Sequence, residues 1–149
     1  MSDGGNLWFV DTNLLLYALD SKTPNKQHLA STWLDTLWKH DAGRLSWQVL
    51  HEFYANATGK LGAPAATSRR IVESYAEWQP IGFSIALVRR AWYWMDHVEL
   101  GYWDALIMAA AERCGCSWLL SEDFQTGRKY GVVQVMNPFH TGPDRFFPE

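Results

Sequence analysis

Cysteine is nearly missing from this chain: there are two in 149 residues, Cys114 and Cys116. Two thiols so close together cannot staple a fold, and with no partner ligands beside them they make no zinc site. They read as reduced, partly buried packing residues of a cytoplasmic protein. No apolar run approaches the roughly 18 residues that a membrane span needs, and the opening Met-Ser-Asp-Gly-Gly has no signal-peptide character. A Gly-x-x-x-x-Gly-Lys phosphate loop is absent, and no activated Ser or Cys triad is evident. Positive charge is in deficit as well. Lys and Arg number 13 against 16 Asp and Glu, a net charge of -3, which excludes a surface that coats nucleic acid generally. Neutralising four of the acids with bound metal would leave the remainder slightly positive, so a nucleic-acid substrate stays open.

What is present is a globular composition, 48% hydrophobic and 19% charged, with nine tryptophans. Most of these belong in a core, and some at an interface, where Trp is enriched. The length suits one domain over residues 1–149, with its core at about 7–139 and a loose extension at 140–149. The continuously apolar residues 7–10 predict a strand buried on both faces of a parallel sheet. Helical periodicity follows at 13–19, 26–40, 49–60, 67–78, 85–97 and 103–113. Strands are expected at 45–47, 118–121 and 132–136, with a short edge strand at 81–83. Strands alternating with helices predict an α/β fold: three layers, α/β/α, around a central, mostly parallel sheet.

Four acids stand out in this frame. Asp11 ends the first strand, where open α/β sheets place their ligand sites, although Asp11, Thr12 and Asn13 are also good helix-capping residues. Glu52 lies within an apolar helix, next to Phe53 and Tyr54, where a carboxylate is costly unless paired, protonated or bound to a cation. Asp104 sits in the first turn of a helix whose residues 105–111 contain no polar side chain, so that this helix is buried nearly all round and opens at the sheet edge. Asp123 follows the strand at 118–121 much as Asp11 follows its own. Ser121 adds a hydroxyl there, and Glu122 is read as pointing outward. Close carboxylates repel one another and raise their own pKa values unless a hard cation is present. Magnesium or manganese suits an all-oxygen ligand set, and the chemistry that follows is attack of an activated water on phosphorus.

Phe-Val-Asp-Thr-Asn at 9–13, Leu-His-Glu-Phe-Tyr at 50–54, Tyr-Trp-Asp-Ala-Leu-Ile at 102–107 and Leu-Leu-Ser-Glu-Asp-Phe at 119–124 resemble the PIN-domain nucleases. Within these the chain is most similar to the VapC-type ribonuclease toxins of bacterial toxin–antitoxin pairs, and residues 130–139 also look like that group. The resemblance implies that Asp11, Glu52, Asp104 and Asp123 are the catalytic and metal-binding acids, with Thr12 or Asn13 as the small polar residue behind the first. It implies a Mg2+- or Mn2+-dependent endoribonuclease that cuts RNA, is restrained by a small antitoxin protein and works as a homodimer. Arg128 and Lys129 are candidates to hold an RNA phosphate, or else form a solvated turn. Arg69-Arg70 and Arg89-Arg90 read as exposed helix faces. Two alternatives stand beside this reading: a structure-specific DNA nuclease with the same metal site, and a non-catalytic PIN scaffold that binds RNA or protein.

Overall fold

The computed structural model describes residues 5–148; the opening residues 1–4 and the final residue of the 140–149 extension lie outside the described residues. Strand β1 (Trp8–Val10) has no exposed residue, as its unbroken apolar sequence requires. It pairs in parallel with β2 (Gly43–Arg44) on one side and β3 (Trp118–Leu120) on the other. A short hairpin completes the sheet: β4 (Lys129–Tyr130) runs antiparallel to β5 (Val133–Met136), which is itself parallel to β3. The order is β2-β1-β3-β5-β4. Helices α1 (Thr12–Leu19), α2 (Pro24–His40), α3 (Trp47–Thr58), α4 (Ala65–Tyr75), α5 (Ile85–His97) and α6 (Tyr102–Arg113) complete the three-layer α/β/α arrangement.

Two sequence expectations shift by local chemistry. The strand expected at 45–47 lies instead at Gly43–Arg44, because the Ser46 hydroxyl accepts from the Val49 amide at 3.3 Å and starts α3 early. The edge strand at 81–83 is reduced to a single bridge between Ser46 and Ile81. Strand β4 went unread. Its two residues are too short to show alternation, and the turn that makes it depends on Gly131 at φ 63°.

The aromatic core explains the tail. Trp8 stacks on Trp118 with ring centroids 5.0 Å apart, and Phe146 meets its edge at 5.0 Å. Phe147 is 3% exposed, and the Trp33 indole N–H donates to the carbonyls of Pro138 at 2.9 Å and Thr141 at 3.1 Å. The segment at 140–148 is therefore packed onto α2 and β1, contrary to the expected loose extension. Its three turn-type residues obscured two apolar anchors and a set of carbonyls that a buried indole needs.

Gly43 is set by close approach. A Cβ at this position would run into the six-membered ring of Trp78, which is 5% exposed and packed between Trp38 and Tyr75. Gly43→Ala should destabilise the fold by about 1–3 kcal/mol, the usual cost of overpacking, read as a lower midpoint in urea denaturation.

Candidate active site

The parallel register puts the carboxyl ends of β1 and β3 side by side. Val10 pairs with Leu120, and the Asp11 amide donates to the Leu120 carbonyl at 3.1 Å. The next residues, Asp11 and Ser121, thus meet across the strand ends: Ser121 Oγ donates to Asp11 Oδ2 at 2.7 Å. Asp11 is also the N-cap of α1, with its Oδ1 accepting from the Thr12 amide at 2.7 Å. The capping role falls on Asp11 alone. Thr12 and Asn13 lie in the first turn of α1, and their side chains serve the other acids.

Thr12 Oγ1 donates to Glu52 Oε1 at 2.7 Å, so one residue touches two of the four acids. Gln48, one turn earlier on α3, donates to Glu52 Oε2 at 3.1 Å and to the Trp103 carbonyl at 3.1 Å, tying α3 to the start of α6. Asn13 Nδ2 donates to Asp123 Oδ2 at 3.1 Å and to Ser121 Oγ at 3.4 Å, while the Asp123 amide donates to that same hydroxyl at 3.1 Å. Asp104 stands in the first turn of α6, whose residues 105–111 are all buried.

The four acids act on one another electrically. Burial pushes the Asp11 carboxyl up from 3.8 to about 7, against the pull of the Ser121 and Thr12 hydrogen bonds, and the charges of Asp123 and Asp104 push it further. Loss of water around Asp104 raises its pKa too, with the charges of Asp123 and Glu52 adding to the effect. Asp11 is 5% exposed, whereas Asp104 and Asp123 stand at an open rim. The result is a buried acid at the bottom of an acidic mouth.

Among the described residues, no three His, Cys, Asp or Glu side chains are gathered closely enough to hold a metal ion by themselves. The four acids therefore share a mouth, and do not form the tight four-carboxylate cluster that the sequence implied. Magnesium asks for less than such a cage: it keeps several waters and takes one or two carboxylates directly. The donor set fits that demand. A carboxylate only accepts, so Asp123 fixes the orientation of the Asn13 amide with Nδ2 toward it. This leaves Asn13 Oδ1 buried without a hydrogen-bond partner, a site that a cation or one of its waters satisfies.

Other sequence expectations fare differently. Ser121 is fully buried and hydrogen-bonded to Asp11. Glu122 does not point outward. It accepts from the Tyr17 hydroxyl at 2.9 Å and pairs with Lys26, which holds the turn after β3 against α1 and α2. Lys129 pairs with Gln134, which in turn lies level with Trp118, the amino end of β3. The register thus sets Lys129 toward the end of the sheet opposite Asp11, and Arg128 lies over the Tyr130 ring at 5.0 Å. Neither is brought to the acids. Arg90 is not a free helix face either: with Trp94 it binds the Glu112 carboxylate, at 2.7–3.0 Å. Gln48 went unread in the sequence, although its place four residues before Glu52 was the available signal.

Comparison with curated protein sequences gives no match. The family model described as PIN domain matches residues 8–131, which takes in β1 through β4 and all four acids. This is a fold of metal-dependent nucleases. The chain belongs to the PIN domain family.

Proposed function

We propose that this protein is a Mg2+- or Mn2+-dependent endoribonuclease and the toxin of a type II toxin–antitoxin pair. The observation that carries the nuclease reading is Asp11: a nearly buried carboxylate, flanked by Asp104 and Asp123, at the carboxyl end of the central strands. The assignment to RNA and to a toxin rests on the motif resemblance at residues 9–13, 50–54, 102–107 and 119–124. Asp11 would hold the cation directly, with Asp104, Asp123 and Glu52 reaching it through its waters. A bound divalent cation supplies charge neutralisation at the scissile phosphate and acidifies water for in-line attack.

This chain's own residues do the rest. Ser121 and the Thr12 amide fix both oxygens of Asp11, so the carboxylate is oriented before any ligand arrives. Asn13 orients Asp123 in the same way. Glu52, steered by Thr12 and Gln48, faces Asp104 and is placed to accept a proton from the attacking water.

An exposed apolar stripe on α5 favours a protein partner. Ile85 is 58% exposed, Trp92 50% and Met95 39%, with half-buried Val88 between them at helical spacing. A homodimer contact or an antitoxin segment would cover it.

Asp11→Asn should abolish Mn2+-dependent cleavage of single-stranded RNA while leaving the circular dichroism spectrum unchanged. Undiminished cleavage by this variant would falsify the assignment. Linkage gives a second prediction. The raised pKa means that the folded state holds a proton on Asp11 which the unfolded state gives up between about pH 4 and 7. Stability therefore falls as pH rises through that window, by up to roughly 4 kcal/mol for a shift of this size. Mn2+ should raise the melting temperature clearly at pH 8 and little at pH 5, and Asp11→Asn should weaken both the pH dependence and the metal response in differential scanning fluorimetry.

A further inference from the structure

Beside the acids lies a cleft of about 460 Å³, lined by His51, Phe83 and Trp103 with Gln48, Glu52 and Asn56. This is a size that ligand sites commonly have. Its aromatic walls are unusually open, with Trp103 60% and Phe83 54% exposed. Tyr102 meets the Trp103 ring edge-on at 5.2 Å. Exposing large aromatic faces to water is unfavourable in a free monomer, and such faces mark a binding surface.

We propose that this cleft is a nucleobase-stacking subsite, in which Trp103 and Phe83 hold the base next to the scissile phosphate of a single-stranded RNA. The inference rests on the nuclease reading above and adds to it the residues that grip the substrate. Three observations favour a base over other occupants. The cleft is continuous with the acidic mouth, because Glu52 belongs to both and Gln48 joins Glu52 to the Trp103 carbonyl. Trp103, in the first turn of α6 with Asp104, lines the cleft together with Glu52, one of the four acids. Finally, His51 also borders a second groove of about 330 Å³, lined by Trp47, Tyr54 and Arg69 among others. Trp47 meets the His51 ring at 6.1 Å, and Arg69 Nε donates to the Tyr54 hydroxyl at 3.1 Å. Aromatic faces in series beside a cation are the surface that a single strand uses, since every base offers a π-face whatever its sequence.

The chain's net charge of -3 gives no broad electrostatic grip on RNA, so stacking must supply a large share of substrate affinity. This makes Trp103 a determinant of substrate affinity for the proposed reaction. It acts by binding and takes no part in bond making.

The test uses a fluorescent single-stranded RNA of about ten nucleotides, its affinity read by anisotropy in the Asp11→Asn background, where the strand stays intact. Trp103→Ala should weaken binding about tenfold, Trp103→Phe by no more than about threefold, and Phe83→Ala in the same direction as Trp103→Ala. Val132→Ala, at an exposed apolar residue of the β4–β5 turn outside the cleft, should have no effect. An abasic strand of the same length should bind wild type and Trp103→Ala alike. With an active Asp11, the Trp103→Ala loss should fall on KM and spare kcat. Affinity of Trp103→Ala for RNA within twofold of the parent, or equal binding of abasic and base-bearing strands by the parent, would overturn the proposal. Loss of strand affinity in Trp103→Ala with no metal-dependent cleavage by wild type would support stacking and sink the nuclease reading alone, so the two failures are distinct.

Discussion

A carboxylate held nearly dry among other carboxylates is the constraint around which this protein is arranged. Asp11 caps α1, receives the Ser121 hydroxyl, and still has its pKa pushed up to about 7 by burial and by its neighbours. Two good hydrogen bonds do not offset the loss of water and the nearby charges of Asp104 and Asp123. The fold tolerates this because the rest of β1 is wholly apolar and buried. A site left so short of positive charge is poised for a cation, and the opening at Asp104 and Asp123 gives one access while leaving room for its waters.

The scaffold delivers the acids through separate routes to one place. Parallel pairing of β1 with β3 sets Asp11 against Ser121 and, two residues on, Asp123. Gln48 links α3 to α6 and so fixes Glu52 relative to Asp104. Behind them, the rings of Trp8, Trp33, Trp118 and Phe146 pack at centroid separations of 5.0–6.5 Å, and anchor both the central strands and the tail. Rigid backing of this kind is what keeps a polar mouth open at the sheet edge. Among the described residues no helix is long and apolar enough to cross a membrane.

Much of this was legible from residue order. Continuous apolar runs marked β1 and β3, periodicity placed α5 at its observed bounds, and acids following buried strands pointed to the sheet edge. Where sequence reading failed, the deciding interaction was long-range or single. Strand β4 exists through its pairing with β5 and one left-handed glycine. The tail is held by a tryptophan more than a hundred residues away. Glu122 and Arg90 are engaged and not free because each found a partner on a neighbouring helix. Lys129 follows Asp123 by only six residues but is carried toward the other end of the sheet by the hairpin register. The cleft between Phe83 and Trp103 gave no periodic signal, since its walls come from a loop, α3 and the first turn of α6.

A divalent cation in the acidic mouth, with Asp11 as a direct ligand, is what the proposed activity requires. Anomalous diffraction from a crystal soaked in Mn2+ at pH 8, above the Asp11 pKa of about 7, tests it most directly. A manganese peak in direct contact with the Asp11 carboxylate, between Asp104 and Asp123, is expected, and it should disappear in Asp11→Asn. A mouth without manganese under these conditions, or a peak that persists in the variant, would contradict it.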